Sequence, residues 1–415
     1  MRILIYGLNY APELTGIGKY TGEMAEWLAG RGHEVRVVTA PPYYPAWSIR
    51  EDYRGKAYRI ERGGVGTPTV FRAPLYVPAK PTGLKRVAHL ASFMLGSLPV
   101  MLGQAFWRPE VVFTVEPTFF CAPVALAVAQ ATGAASWLHV QDFEVDAAFD
   151  LGLLPSRGLL HDLALGLERL FTRGFSRVSS ISSKMTERAE AKGVTRERIR
   201  LFPNWVDVGA VYPRGRAVGN LFLRELGLER KIVLLYSGNM GSKQGLDVLA
   251  PLAQWFEGDA RVHFIFCGDG AFRPQLEALV AGYPNVTLLP LQPMERLNEL
   301  LNAADIHLLP QRAGAADLVM PSKLTGMLSS GRPVIATADA GTQVAKVVEG
   351  SGAGHACGLV VPAEDGVALH EAVARLVDDA ALRLRLGENA RRYAVEHLGR
   401  DQVLEQFERE LRELA

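Results

Sequence analysis

Two successive series of short apolar runs, each followed by a helical repeat, constrain this chain more than any other feature. In the first, strands are expected at 2–8, 34–39, 111–115, 135–140 and 177–181, with helices at 19–30 and 122–131. In the second, strands at 231–236, 262–266, 286–289, 305–309 and 333–336 alternate with helices at 246–256, 273–281, 294–303 and 322–330. Alternation of this kind means a parallel sheet with helices on both faces. At 415 residues the chain also exceeds one ordinary core. The expected fold class is α/β, two Rossmann-like domains in tandem.

The motif Phe202-Pro203-Asn204-Trp205-Val206-Asp207 separates the two series. The expected boundaries are 1–207 for the first domain and 208–380 for the second. Helices with Arg, Glu and Leu at helical spacing follow over 381–415, with packing as their role. Ligands bind outside the carboxyl ends of such strands. Loops near 9–18, 139–146, 238–245, 267–270 and 310–322 would therefore line a site. The stretch 40–80, rich in Pro, Tyr and Gly, is too long for a simple connection and is read as a functional loop.

Composition narrows the class. A net charge of +1 argues against a nucleic-acid-binding protein, which is usually far more basic. Cys121, Cys267 and Cys357 stand far apart and show no metal-ligand spacing, so they read as reduced core thiols. The opening Met1-Arg2-Ile3-Leu4-Ile5 reads as a strand and not as a signal peptide, so a cytoplasmic location is expected. Val87 to Trp107 holds no Asp, Glu, Lys or Arg, and Lys80, Lys85 and Arg86 precede it. That length could cross a bilayer, but a strand follows at once. A core helix, or one partly laid on a membrane surface, is expected.

Several motifs carry chemistry. Tyr236-Ser237-Gly238-Asn239-Met240-Gly241-Ser242-Lys243-Gln244-Gly245 lies between a strand and a helical pattern. Such a layout aims backbone N–H groups and a helix start at an anion, with phosphate the natural ligand. Asn9 to Tyr20 offers Gly16, Gly18 and Lys19, with Gly22 beyond. Its glycines start too far past the strand for a dinucleotide fingerprint, and Glu13 and Tyr20 exclude a Walker A loop. His139, Gln141 and Asp142 close a strand, with His139 and Gln141 on one face. Glu144 and Asp146 could pair on a metal, but such pairs are common on surfaces. Gly268-Asp269-Gly270 is a turn or a contact to a base or ribose. Pro321-Ser322-Lys323-Leu324 opens a helix with Ser322 near the cap. Lys323 then stands in the first turn, where the helix dipole disfavours a cation unless an anion is present.

Taken in order, these motifs resemble the retaining GT-B glycosyltransferases of group 4, over nearly the whole chain. The pairing of Ser237-Gly238-Asn239-Met240-Gly241 with Pro321-Ser322-Lys323 and Gly331-Arg332-Pro333-Val334 carries the resemblance, together with Pro203-Asn204-Trp205-Val206-Asp207. The opening Leu8-Asn9-Tyr10-Ala11-Pro12-Glu13 narrows it to enzymes of colanic-acid-like exopolysaccharide assembly. The resemblance implies two Rossmann-like domains facing across a cleft. It implies sugar transfer from a nucleoside-diphosphate sugar to a lipid-linked saccharide with retained configuration.

By the same resemblance, Gly238, Asn239, Gly241 and Lys243 line the donor diphosphate, Lys323 and the helix starting at Ser322 add charge and N–H donors, and Gln244, Asp317, Pro321 and Leu324 also belong to the donor site. Gly16, Gly18 and Lys19 approach from the first domain. Gly268, Gly270 and Leu291 lie beside the base. His139, Gln141 and Asp142 face the reacting sugar. The family's two glutamates are replaced by Leu318, with Asp317 adjacent, and Gly326, and a usual loop lysine is replaced by Gln244. Lys243 and Lys323 are expected to compensate. A GDP-sugar such as GDP-fucose is the expected donor, with a UDP-sugar next, and neither a metal nor another cofactor is expected. Expected partners are an undecaprenyl-diphosphate-linked or other saccharide acceptor and a membrane surface touched through 80–107. A nucleotide-sugar 2-epimerase and a non-catalytic binding scaffold are the alternatives.

Overall fold

The structure is a computed structural model that describes residues 1–415 except 14–15, 56, 80–82, 117–118, 144–157, 216–218, 242–243, 314–320 and 351–353, and the side chains of 159–160. The chain forms two compact units, Met1–Pro203 with Leu404–Ala415, and Asn204–Val403. The C-terminal helices make no unit of their own: Ala380–His397 belongs to the second unit, and Arg400–Leu414 lies in the first from Leu404 onward.

The first unit is built on eight strands: β1 (Arg2–Gly7), β2 (Glu34–Thr39), β3 (Arg59–Arg62), β4 (Thr69–Arg72), β5 (Val111–Glu116), β6 (Ala135–Val140), β7 (Arg177–Ser180) and β8 (Ile199–Leu201). Their order is β3-β4-β2-β1-β5-β6-β7-β8, parallel except for the β3–β4 pair. β3 and β4 correct the reading of 40–80 as one irregular loop. Burial alternates along Arg59-Ile60-Glu61-Arg62 and Thr69-Val70-Phe71-Arg72, but in the sequence only the glycines between the two short runs hint at a hairpin. The first helix begins at Gly16, earlier than expected.

The second unit carries β9 (Ile232–Ser237), β10 (Val262–Cys267), β11 (Val286–Leu289), β12 (Ile306–Leu309), β13 (Val334–Thr337) and β14 (Gly358–Val361). Their order, β11-β10-β9-β12-β13-β14, reads 3-2-1-4-5-6 within the unit. This is the doubly wound Rossmann order, and it reverses between β9 and β12. Leu234, Tyr236, Phe264, Phe266, Ile306, Leu308 and Ile335 fill the core on one face, and Val233, Leu235, Ile265, His307 and Leu309 are buried on the other, so the middle strands are buried on both faces.

Candidate functional site

In the second unit, the loops leaving β9 and β10 lie backbone against backbone. A Cβ on Gly270 (φ +149°) would meet the Met240 carbonyl oxygen at 2.6 Å. Gly238 N–H donates to the Cys267 carbonyl at 3.0 Å, and Met240 N–H to that of Asp269 at 2.8 Å. Gly268 N–H donates to Leu289 O at 3.1 Å, and Gly270 N–H to Asp269 Oδ1 at 2.8 Å. The N–H groups of Gly238, Gly268 and Gly270 are therefore spent within the protein. Those of Asn239 and Gly241 donate to no protein acceptor among the described residues. Both are open to a ligand.

The helix-dipole reading of this loop needs correction. Gly245 adopts a left-handed conformation (φ +63°), and a 3₁₀ turn, Leu246–Val248, follows it. The α-helix begins only at Leu249 and is seven residues long. Gly245 packs against the backbone of Gln311 beyond β12, where its Cβ would lie 3.0 Å from the Gln311 carbonyl carbon. The β9 and β12 loops thus meet at the point where strand order reverses.

Lys323 brings the charge. Its Nζ donates to Tyr236 Oη at 3.2 Å and to Gln244 Oε1 at 3.1 Å, and lies 4.3 Å above the Tyr236 ring. Both partners are neutral. Among the described residues no carboxylate lies within ion-pair distance of it. The residue as a whole is half-buried, and burial of its ammonium pushes the pKa down to about 7. The Tyr236 hydroxyl in turn donates to the Asn239 carbonyl at 2.6 Å.

Ser322 stands at the N-cap, as expected, but it is exposed, sits in the right-handed helical region and makes no side-chain capping bond. Leu324 is fully buried and its N–H donates to Pro321 O at 3.0 Å, so it faces the core and not a ligand. The helix Lys323–Ser329 is one of seven residues. Pro321 is half-buried beside it, and Leu291 is 63% exposed beyond β11. Lys243 and Asp317 lie outside the described residues, as do Glu144 and Asp146.

In the first unit, Glu13 organises the loop after β1, a role the sequence reading missed. Its Oε1 accepts from the N–H groups of Tyr43 at 3.1 Å and Tyr44 at 3.0 Å, and its Oε2 accepts from Asn9 Nδ2 at 2.9 Å. Burial raises the carboxyl's pKa. Arg72 ties the same region together, donating to Ala40 O at 2.9 Å and Ala11 O at 2.5 Å. Gly18 is buried, and a Cβ there would stand 2.7 Å from Glu13 Cβ, so packing explains that glycine. Gly16 is exposed with open space around it, and Lys19 pairs with Glu23 at 3.7 Å.

His139 is 3% exposed, 4.9 Å from the Phe202 ring and 5.9 Å from the Phe113 ring. Gln141 Nε2 lies 3.1 Å from its Nε2, and Ser179 Oγ lies 2.9 Å from its Nδ1. An amide nitrogen only donates, so Nε2 accepts and Nδ1–H donates to Ser179. Burial drops the imidazole to about 3. His139 is thus held neutral, which fits no proton-transfer role near neutral pH. Gln141 is buried beside it and Asp142 is half-buried.

Two domain families match the chain in order: a glycosyl transferase 4-like domain over residues 15–205, and glycosyl transferases group 1 over 231–379. The chain is 41% identical over 417 residues to the Escherichia coli (strain K12) protein named for colanic acid biosynthesis, the glycosyl transferase WcaI, spanning 99% of this chain and 100% of that one. Sucrose-phosphate synthase from Thermosynechococcus elongatus has the same fold, with a TM-score of 0.73 at 19% identity, covering 100% and 98% of the two chains. Anabaena HepE, solved with UDP and glucose, gives 0.69 at 14% identity with both chains fully covered. Two consecutive family matches and a full-length relative at 41% identity place this chain in the GT4 glycosyltransferases of GT-B fold.

Proposed function

We propose that this glycosyltransferase moves a sugar from a nucleoside-diphosphate sugar to an undecaprenyl-diphosphate-linked or similar saccharide, with retained configuration, in assembly of a colanic-acid-like exopolysaccharide. One observation carries the donor assignment. Among the described residues, Lys323 has no carboxylate partner, and it stands beside a loop where the Asn239 and Gly241 N–H groups meet no protein acceptor. Such a site is complementary to a diphosphate. Negative charge grows on the departing diphosphate oxygen as the sugar leaves, and fixed donors stabilise it without reorganising. The reading uses no metal, because lysine and N–H groups supply the positive charge. A GDP-sugar such as GDP-fucose leads, with UDP-sugars next.

The family and the name of the WcaI relative support the pathway assignment. The 2-epimerase and the non-catalytic scaffold are the competing readings. Incubation with radiolabelled GDP- and UDP-sugars, with and without a membrane extract as acceptor source, separates the three. Lipid-extractable label supports transfer. An epimer formed without acceptor indicates the epimerase, and binding without turnover indicates the scaffold.

Membrane-surface contact belongs to the same proposal, at the cytoplasmic face. The helix Leu84–Trp107 buries His89, Leu90, Phe93, Ser97, Met101 and Gln104. Tyr6 Oη lies 2.6 Å from Ser97 Oγ, so one face is committed to the protein, which argues against a spanning helix. Leu84, Leu95, Leu102 and Phe106 form an exposed stripe on the helix, 83%, 62%, 57% and 92% exposed. Their spacing of 11, 7 and 4 residues keeps them on one face. With Lys85 and Arg86 at one end, this is the pattern of a helix lying on an anionic surface.

A further inference from the structure

We infer that Tyr236 is a positioning residue for donor binding: its ring and hydroxyl hold the Lys323 ammonium at the mouth of the β9 loop and tie it to the Asn239 backbone. This inference rests on the diphosphate reading of the site above. Tyr236 is the fifth residue of β9 and is fully buried. A buried tyrosine needs a partner for its hydroxyl, and here the hydroxyl has two with opposite roles. It donates to Asn239 O at 2.6 Å, which leaves its lone pairs to accept from Lys323 Nζ at 3.2 Å. The ring face lies 4.3 Å below the same ammonium, a cation–π placement.

One side chain thus fixes both kinds of donor the diphosphate would meet. Its hydroxyl anchors the peptide that carries the Asn239 carbonyl into Met240, adjoining the open N–H groups of Asn239 and Gly241. Its ring and oxygen fix the cation. Gln244 Oε1, 3.1 Å from Nζ, is the third contact. An amide carbonyl bears no net charge, so it holds the ammonium without neutralising it. A glutamate there would compete with the ligand as an acid partner. The aromatic residue and the lysine are 87 positions apart in sequence, yet act as one unit.

Tyr236→Phe separates the ring from the hydroxyl and keeps the core volume. The lysine's protonation is read without ligand, by competitive acetylation of Lys323 at a series of pH values and peptide mass spectrometry. UDP and GDP binding is measured alongside, with Lys323→Ala as the reference. Removing an acceptor from an ammonium disfavours the charged form. The labelling midpoint of Lys323 therefore moves to lower pH in Tyr236→Phe, and nucleotide affinity at pH 7 falls about tenfold. An unchanged labelling midpoint overturns the positioning role, whatever the affinity. If Lys323→Ala binds nucleotide as the wild type does, the diphosphate reading itself fails, and the inference with it. If Lys323→Ala loses binding while Tyr236→Phe matches the wild type in both measurements, only the inference fails.

Discussion

A Cβ on Gly268 would stand 1.9 Å from the carbonyl oxygen of Gly238. The two residues directly follow adjacent strands, β10 and β9, and at this point their loops touch through backbone. That closeness sets the two loops as one cradle and explains the glycine at 268 without reference to a ligand.

Gly268→Ala tests this closeness. Its φ of +155° and the absent space both oppose a side chain. The variant is expected to lose about 3 kcal/mol of stability and most nucleotide binding. Urea denaturation and UDP or GDP titration read the two effects. Wild-type values in both would mean that the loops can part without consequence.

The Lys323 ammonium, pushed down to about 7 by burial, gives nucleotide binding a pH dependence of defined sign. A diphosphate binds the charged lysine. Above pH 7 the free protein increasingly holds a neutral amine, so affinity falls as pH rises, approaching tenfold per unit. Calorimetric titration at pH 6, 7, 8 and 9 measures it. Affinity that holds constant to pH 9 would contradict the assignment of Lys323 to the phosphates. In Lys323→Ala, sugar transfer is expected to drop on the order of 10²-fold.

Glu13 is expected to matter through the fold of its loop. Glu13→Ala removes the acceptor of the Tyr43 and Tyr44 N–H groups and the shorter of the Asn9 amide's two contacts, at a cost of about 3 kcal/mol. Glu13→Gln keeps a carbonyl oxygen for the two N–H groups and should cost less. Thermal melts of both variants give the order directly; equal melts for the alanine variant and wild type would remove Glu13 from this role.

The imidazoles of His139 and His307, each dropped to about 3 by burial, should stay neutral in the folded chain. Unfolded histidine titrates near 6.5, so the unfolded chain binds more protons between 6.5 and 3. Each residue then lowers stability as pH falls through that window, by about 1.4 kcal/mol per unit. Their ring carbon shifts in NMR spectra should not move from pH 8 to pH 5. A titration near 6 at His139 would reopen it as an acid or base.

Phe106 tests the membrane surface. Phe106→Asp on a 92% exposed position is expected to leave the melting temperature unchanged and to weaken binding to anionic vesicles severalfold. Cosedimentation with phosphatidylglycerol vesicles at low salt measures it. Equal cosedimentation of variant and wild type would exclude this face of the helix.

The sequence by itself determined the α/β class, the two Rossmann-like series and the loops worth inspecting. Burial and helical repeat are local properties, and β9 to β13 were legible from them. It also singled out Asn239, Gly241 and Lys323. The β3–β4 pair stayed hidden because short, half-exposed strands carry a weak pattern inside a Pro- and Gly-rich stretch.

Only the tertiary structure decided which groups meet. Strand order placed the β9 loop beside that of β12, and pairing across strands consumed the Gly238 and Gly268 N–H groups. It removed Leu324 to the core, made Gly18 a packing partner of Glu13 and enclosed His139 among aromatic rings. It set Lys323 over Tyr236 and against Gln244. No local pattern encodes such contacts, because they arise when distant segments close on one core, and the solvent lost there sets the charge of the lysine.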